Sequence, residues 1–180
     1  LGINPKECST NITYFEKYRK IDINKALKFT NFNRCRNGHG QWEERAKVLH
    51  LSNTSWKKYK QFSGNLSHKQ YLQELSKCLF TICVHGGGLD VNPKLFEALL
   101  VGVIPIIKEN KPYTDLYSNL PVVIIDDWNE DTITYSNLLE WKNKYYKFHF
   151  EENYKKVLEI LSLEYYVNKI YGSSSIVRNI

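Results

Sequence analysis

Apolar residues occur along this chain in short runs, separated by longer stretches of mixed polar and apolar character. The runs are rich in β-branched and aromatic residues, which is typical of buried strands. They predict strands at Lys28–Asn33, Trp56–Phe62, Leu79–Val84, Val103–Ile107 and Pro121–Ile125. The intervening stretches predict helices at Gln41–Leu51, after Ser67, from Pro93, at Tyr113–Tyr117, from Asn129 to Lys147 and from Glu151 to about Tyr171. A repeated strand–helix order folds most simply as a parallel sheet, so we expect an α/β, Rossmann-like fold with helices on both faces.

Local sequence also predicts where two of these helices begin. Gln70 follows Ser67 at the spacing of a capping box, in which each side chain bonds the backbone N–H of the other residue. Asn92 is a good N-cap and Pro93 a good first helical residue. The second of these helices is therefore expected to start shortly after a run of three glycines.

The length of the chain limits its domain organisation. At 180 residues, 42% of them hydrophobic, the chain fits one domain of ordinary size and not two Rossmann-like domains. Residues 1–25 show no sustained period and are interpreted as an N-terminal wrap or linker. Residues 26–150 are interpreted as the Rossmann-like domain, and residues 151–180 as a C-terminal helix and tail.

The charge pattern disfavours a dedicated nucleic-acid face. The formal net charge is +6, but the 25 basic and 19 acidic residues are interspersed. Two clusters, Trp56–Lys60 and Lys142–Lys147, mix lysine with aromatic residues as single-strand binders do. Lysine and tyrosine are abundant throughout, so we interpret both clusters as compositional and expect no nucleic-acid partner.

Cysteine and carboxylate patterns indicate neither a disulfide framework nor a metal site. The four cysteines contain no C-x-x-C pair. Cys78 and Cys83 flank or lie within a predicted buried strand, which favours reduced core thiols and a cytoplasmic protein. Asp126 and Asp127 are adjacent at a strand end and are interpreted as turn and cap residues, so no metal is expected. No run in the sequence predicts a membrane span.

The segment after the third predicted strand carries the clearest chemistry. Gly86–Gly88 allow the backbone to turn there without a Cβ in the way. Lys94 and Glu97 are three residues apart and share one face of the following helix. A cation beside a helix start, with a carboxylate one turn further on, suits a diphosphate joined to a ribose.

Each of these features also has a purely structural interpretation. The spacing of the glycines differs from the dinucleotide fingerprint G-x-G-x-x-G, and any tight strand-to-helix turn uses glycine. Glu97 either accepts hydrogen bonds from sugar hydroxyls or forms an i,i+3 ion pair with Lys94. His85 ends its strand at the carboxyl edge of the sheet, where ligands bind, and is either a ligand contact or a structural residue.

Three motifs in this order resemble the C-terminal donor half of exostosin-like GT-B glycosyltransferases, which are found in eukaryotes, bacteria and large DNA viruses. They are HGGGLD, PKLFEALLVGVIPII and PYTDLYSNLPVVIIDDW, and together they run from His85 to Trp128. NFN at Asn31–Asn33 is similar to the opening strand of that domain. The PKLFEAL segment also resembles fucosyltransferases whose helix begins with E-K-L, so GDP-fucose stays open as a donor beside a UDP-sugar, which is favoured.

The resemblance implies roles for individual residues. Gly86–Gly88 would lie under the donor diphosphate, Lys94 would contact phosphate, and Glu97 would bind the ribose. Lysine stands where related sequences usually carry arginine, and it cannot clamp phosphate with two parallel bonds. The complete predicted ligand-binding set is His85, Gly86, Gly87, Gly88, Lys94 and Glu97, with Asn33, Arg36 and Arg45 from the first β-α unit.

The resemblance also implies a mechanism and partners. The acceptor, a glycan or a protein, and the general base would belong to the missing N-terminal half of the GT-B enzyme. This chain would bind the nucleotide-sugar donor and stabilise its leaving group without metal or cofactor. The expected compartment is the cytoplasm, that of the host if the protein is viral, rather than the Golgi lumen. The alternative is a non-catalytic nucleotide-binding or interaction module.

Overall fold

The computed structural model describes residues 12–22, 24–31, 41–63, 66–85, 93–111, 113–162, 164–165 and 167–168. Within them, five strands form one parallel sheet. The strands are β1 (Ala26–Asn31), β2 (Lys60–Ser63), β3 (Cys78–Ile82), β4 (Ile104–Lys108) and β5 (Val123–Ile125). They lie side by side in the order β2-β1-β3-β4-β5, which confirms the predicted α/β, Rossmann-like fold.

Helices connect the strands and flank the sheet. They are α1 (Ile12–Glu16), α2 (Gln41–Asn53), α3 (His68–Leu75), α4 (Lys94–Leu100), α5 (Tyr135–Lys144) and α6 (Glu151–Leu161). Short 3-10 helices lie at Lys57–Tyr59, Tyr113–Tyr117 and Tyr146–His149. The strand–helix alternation expected from the sequence is therefore present, with each parallel connection made through a helix or a turn.

One face of the sheet packs against α2 and α5. Ile82 of β3 lies in a buried cluster with Val48 of α2 and Leu138 of α5. Trp56 and Trp128 belong to the same cluster, are fully buried, and have ring centroids 6.2 Å apart. Two large aromatic side chains thus fill the space between this face of the sheet and its helices.

The opposite face packs against the remaining helices. Cys83, directly after β3, lies in a buried cluster with Leu95 of α4 and Val157 of α6. A neighbouring cluster contains Leu72 of α3, and Tyr14 of α1 packs against it. The sheet is therefore covered on both sides, as a parallel sheet requires.

The direction in which strands are added reverses between β1 and β3. From β1 the chain first adds β2 on one side, and it then adds β3, β4 and β5 in turn on the other side. In open α/β sheets, ligands bind outside the carboxyl ends of the strands at such a switch point. Here those ends are Asn31 of β1 and Ile82 of β3.

Several predicted element boundaries are confirmed and others are wrong. The capping box is formed, since the Ser67 hydroxyl accepts from Gln70 N and the Gln70 side chain accepts from Ser67 N. The helix predicted from Asn129 begins only at Tyr135. Its start is displaced because Asn129 N donates to the Thr132 hydroxyl in a local turn, and because the extended Thr134 caps the helix instead.

Two further predictions need correction in length. The strand predicted from Trp56 begins at Lys60, because the backbone first makes a 3-10 turn at Lys57–Tyr59. The helix predicted from Glu151 to about Tyr171 is interrupted after Leu161, and residues 164–165 and 167–168 are again helical. Ser162 is extended, with φ −73° and ψ 150°, and its hydroxyl donates to the Glu159 backbone oxygen, which ends α6.

Candidate functional site

The switch point lies at the edge where the sequence predicts ligand binding. Gly86–Gly88 come shortly after β3 in the sequence, and Asn33 and Arg36 follow β1. All of these residues lie outside the described residues, so their part in the site stays a prediction. The described side chains at this edge come from the ends of β3, β4 and β5 and from the first turns of α2, α3 and α4.

His85 is held at two points by α2. The Arg45 guanidinium donates to the His85 backbone oxygen from Nε at 3.0 Å and from Nη2 at 2.9 Å. On the ring, Nδ1 of His85 lies 3.6 Å from Oε2 of Glu44. Two predicted site residues, His85 and Arg45, are thus in direct contact. Glu44 joins them, although nothing in the sequence singles it out.

This contact continues along the sheet edge as a chain of alternating charges. Oε1 of Glu44 lies 3.4 Å from Nζ of Lys108, and Nζ of Lys108 lies 2.9 Å from Oδ1 of Asp127. The second carboxylate oxygen, Oδ2 of Asp127, lies 3.0 Å from Nζ of Lys47. We call these five side chains, His85, Glu44, Lys108, Asp127 and Lys47, the polar strip. Asp127 therefore pairs with two lysines, a role beyond the turn residue that its sequence context indicates.

Electrostatics keep both carboxylates of the polar strip ionised. Burial opposes ionisation of Glu44, but His85 and Lys108 outweigh it, so the pKa of Glu44 lies below its ordinary value. Hydrogen bonds from Lys108 and Lys47 hold the pKa of Asp127 far below its usual range. The same pairing with Asp127, assisted by Glu44, raises the pKa of Lys108. The polar strip thus presents fixed acceptors and fixed donors near neutral pH.

Glu97 lies on the opposite face of the sheet, in the first turn of α4. Its side chain is 24% exposed, and its Oε1 lies 3.1 Å from Nε2 of His68. Burial and the nearby Glu97 carboxylate raise the pKa of Tyr71. The ring of Tyr14 stacks on His68 with centroids 6.0 Å apart. His68 is thus a partner of Glu97 that the sequence does not indicate.

Lys94 is the first residue of α4 and is half-buried. It lies one turn before Glu97 on the same helix, as the spacing predicts. Burial raises the pKa of the Cys83 thiol to about 12, and the charge of Lys94 acts against this shift.

The described part of the predicted site thus forms two groups at one edge of the sheet. His85 and Arg45 lie with α2 on one face, and Lys94 and Glu97 lie on α4 on the other. The segment that joins the two groups in the sequence, residues 86–92, lies outside the described residues.

An open depression of about 320 Å³ lies beside the far end of the polar strip. Asp127 lines it together with Trp141, Asn129 and Asn137. An aromatic ring among carboxylate and amide groups offers apolar contact and hydrogen bonds to one ligand. The depression is therefore continuous with the polar strip through Asp127.

The described residues include two cysteines and no group of metal ligands. Cys78 and Cys83 are buried free thiols, as the sequence predicts. In the described part of the chain, no three His, Cys, Asp or Glu side chains are grouped as a metal site requires. Among the same residues, no helix combines the length and apolar character needed to cross a bilayer.

Comparison with known proteins gives no assignment. No protein-family model matches this sequence, and no curated protein matches it as a relative. The similarity to exostosin-like glycosyltransferases therefore rests on the order of motifs alone. The fold and the edge geometry are the remaining basis for a functional argument.

Proposed function

We propose that this chain binds a nucleoside diphosphate sugar as the donor half of a GT-B glycosyltransferase, with a UDP-sugar as the favoured donor. The observation that carries the proposal is the switch point between β1 and β3, because the glycine run Gly86–Gly88 comes shortly after β3 in the sequence. Ligands of open α/β sheets bind at such a point. Glycine also lets the backbone approach a phosphate closely.

Lys94 and Glu97 supply complementary chemistry for such a donor. In the proposal, the Lys94 ammonium contacts the diphosphate, and the Glu97 carboxylate accepts hydrogen bonds from the ribose hydroxyls. Glu97 is partly exposed, so a ribose can reach it. Its contact with His68 leaves acceptor capacity, because an ionised carboxylate has about four lone-pair sites.

The proposed reaction transfers the sugar to a glycan or protein acceptor. An acceptor oxygen attacks the anomeric carbon while the bond from that carbon to the diphosphate breaks, and the electron pair leaves with the nucleoside diphosphate. Lys94 stabilises the negative charge that develops there. The acceptor and the group that takes its proton belong to a partner, the N-terminal half of the enzyme. The scheme uses no metal ion or cofactor.

Chemical-shift mapping of the labelled chain with UDP and with GDP tests the proposal. We expect the largest amide shifts at Val84 and His85 and along the first turn of α4. Shifts confined to the Trp56–Lys60 or Lys142–Lys147 clusters would contradict it. The nucleotide with the lower dissociation constant then identifies the base, and with it a UDP-sugar or a GDP-sugar such as GDP-fucose.

A transfer assay separates an enzyme from a module that binds nucleotide without chemistry. The chain is mixed with the N-terminal half and with a nucleotide sugar that binds. Release of the nucleoside diphosphate supports the transferase. A donor that binds at the switch point but is neither hydrolysed nor transferred would identify a non-catalytic nucleotide-binding or interaction module.

A further inference from the structure

Four large apolar side chains are exposed along α5 and the turn that follows it. The exposed fraction is 58% at Tyr135, 37% at Leu139, 44% at Tyr146 and 48% at Phe150. Tyr135 and Leu139 are four residues apart on α5, so their side chains are neighbours. The rings of Tyr146 and Phe150 pack edge to face, with centroids 5.1 Å apart. We call these four side chains the apolar stripe.

The two halves of the apolar stripe lie on one side of a continuous helical path. Tyr145 N donates to the Trp141 backbone oxygen, so the helical turn continues past the end of α5. Leu139 and Tyr146 are seven residues apart, which is about two turns of helix. Scattered exposed apolar residues are normal on a protein surface, whereas a contiguous group indicates a contact surface.

The opposite side of α5 is already used by the core. Leu138 is fully buried, and the ring of Trp141 packs edge to face on Phe80 with centroids 6.1 Å apart. The hydroxyl of Tyr145 donates to the Val122 backbone oxygen. These contacts fix α5 on the sheet, so the apolar stripe is presented on a rigid support and is not needed for packing within the chain.

The order of residues in the apolar stripe fits a second copy of this chain. The midpoint in sequence between Tyr135 and Phe150 lies between residues 142 and 143, and so does the midpoint between Leu139 and Tyr146. In an antiparallel contact about a two-fold axis at that point, Tyr135 of one copy meets Phe150 of the other, and Leu139 meets Tyr146. Each half of the stripe thus complements the other half, as a two-fold interface requires.

The polar residues beside the apolar stripe have the same symmetry. Glu140 and Lys147 are exposed, and their midpoint lies within one residue of the same point. In the antiparallel contact, each Glu140 carboxylate therefore lies beside the Lys147 ammonium of the other copy. Asn143, next to the axis, can pair with itself because an amide both donates and accepts hydrogen bonds. Lys142, also next to the axis, has a long side chain that can carry its charge to solvent.

We infer that this chain forms a homodimer through the apolar stripe, with the two α5 helices antiparallel. α5 packs on one face of the sheet and α4 on the other, so the contact does not cover Lys94 or Glu97. The dimer is independent of the proposed function. The contact consists of four apolar side chains and a polar rim from each copy, so the dimer is reversible and not obligate.

Sedimentation velocity over a concentration series tests the inference. We expect the mass of the wild-type chain to rise from 21.2 kDa toward twice that value with increasing concentration. The series runs from about 1 to about 300 μM, which covers the micromolar dissociation constants of small interfaces. A single species of 21.2 kDa at every concentration would overturn the inference.

Leu139→Glu is the decisive variant, and Leu116→Glu is its matched control. Both leucines are exposed, but Leu116 lies in the 3-10 helix Tyr113–Tyr117, outside the apolar stripe. We expect L139E to raise the dissociation constant of the dimer at least about tenfold and L116E to change it less than about twofold. Thermal melts check that both variants fold. If the two variants weaken the dimer equally, or neither does, the apolar stripe is not the interface.

A charge exchange between Glu140 and Lys147 tests the antiparallel arrangement without altering an apolar residue. Glu140→Lys and Lys147→Glu each place like charges together across the interface, so each should weaken the dimer about threefold to tenfold at low salt. The double variant E140K/K147E restores opposite charges and should regain most of the wild-type affinity. If the double variant dimerises no better than the single variants, the antiparallel contact is refuted.

Discussion

Nε2 of His68 lies 3.1 Å from Oε1 of Glu97, which joins the first turns of α3 and α4. The two helices follow different strands and start at the same edge of the sheet. The side chain of His68 is about half exposed, whereas that of Glu97 is mostly buried. The carboxylate proposed to bind ribose thus already contacts His68. A bound ribose would contact the same carboxylate beside His68.

Glu97→Gln is expected to weaken nucleotide binding and to preserve the fold. The amide keeps the volume of the side chain but removes the charge that strengthens hydrogen bonds to hydroxyls. We expect a loss of about 1.5–3 kcal/mol in the binding of UDP, roughly tenfold to a hundredfold in affinity. Titration calorimetry measures the loss, and a thermal melt checks the fold.

His68→Gln is the control for that measurement, because it removes the imidazole ring from the other side of the same contact. The contact involves an exposed ring, so its loss should cost at most about 1 kcal/mol of stability. If Glu97 binds ribose, only E97Q weakens the binding of UDP. If both variants lose the same affinity for UDP, or neither loses any, Glu97 forms a structural pair with His68.

Lys94→Ala should affect the phosphates and not the nucleoside. An ammonium group at the start of α4 acts on phosphate charge, which uridine lacks. We expect the affinity for UDP to fall about tenfold and the affinity for uridine to stay unchanged. Lys111→Ala, which removes an exposed lysine after β4, should change neither. If the affinities for uridine and for UDP fall by the same factor, Lys94 supports the folded structure and does not contact the phosphates.

Local sequence was sufficient to predict most of the fold. The capping box at Ser67 and Gln70 involves residues three apart, and it forms as predicted. The start of α5 was predicted too early, at Asn129, because a helical pattern alone does not reveal a competing turn. That turn depends on the hydroxyl of Thr132, which accepts from Asn129 N and donates to the Asp127 backbone oxygen.

The candidate site was only partly predictable, because its contacts are distant in sequence. His85 was identified by its place at a strand end beside glycines. Glu44 and Lys108, by contrast, are ordinary charged residues in their own segments, and only the sheet order brings them together. Lys47 and Asp127 are likewise far apart in sequence and form an ion pair across the sheet edge. One available indication was that charged residues follow several predicted strands, whose ends share one edge.

Gly102 should tolerate substitution poorly, because it turns the chain between α4 and β4. Its φ is +75°, in the left-handed region, and an added Cβ would lie 3.3 Å from the Lys20 backbone oxygen. We expect Gly102→Ala to lower the free energy of unfolding by about 1–2 kcal/mol, measured by urea titration. Gly102→Asn distinguishes the two causes, because asparagine adopts left-handed backbone more readily. If G102N is as unstable as G102A, the close contact with Lys20 is the main cause.

The burial of His149 should make the stability of the protein depend on pH. The ring is buried, lines a small cavity beside Gly102 and Tyr154, and its Nε2 has no hydrogen-bond partner among the described residues. Burial, assisted by the charge of Lys25, lowers the pKa of His149 from 6.5 to about 4. The folded protein thus keeps the ring neutral at pH values where the unfolded chain is already protonated.

The contribution of His149 is therefore fully present above pH 6.5 and is lost as the pH falls to about 4. Over that window, we expect the wild type to lose about 3 kcal/mol more unfolding free energy than His149→Phe, which has no titratable ring. Urea unfolding, followed by tryptophan fluorescence across the pH range, measures the difference. Protonation of other groups, such as Asp127 and Glu44, lowers the unfolding free energy of both proteins equally, so it cancels in the difference between them. Parallel curves for the two proteins would show that His149 is not held neutral by burial.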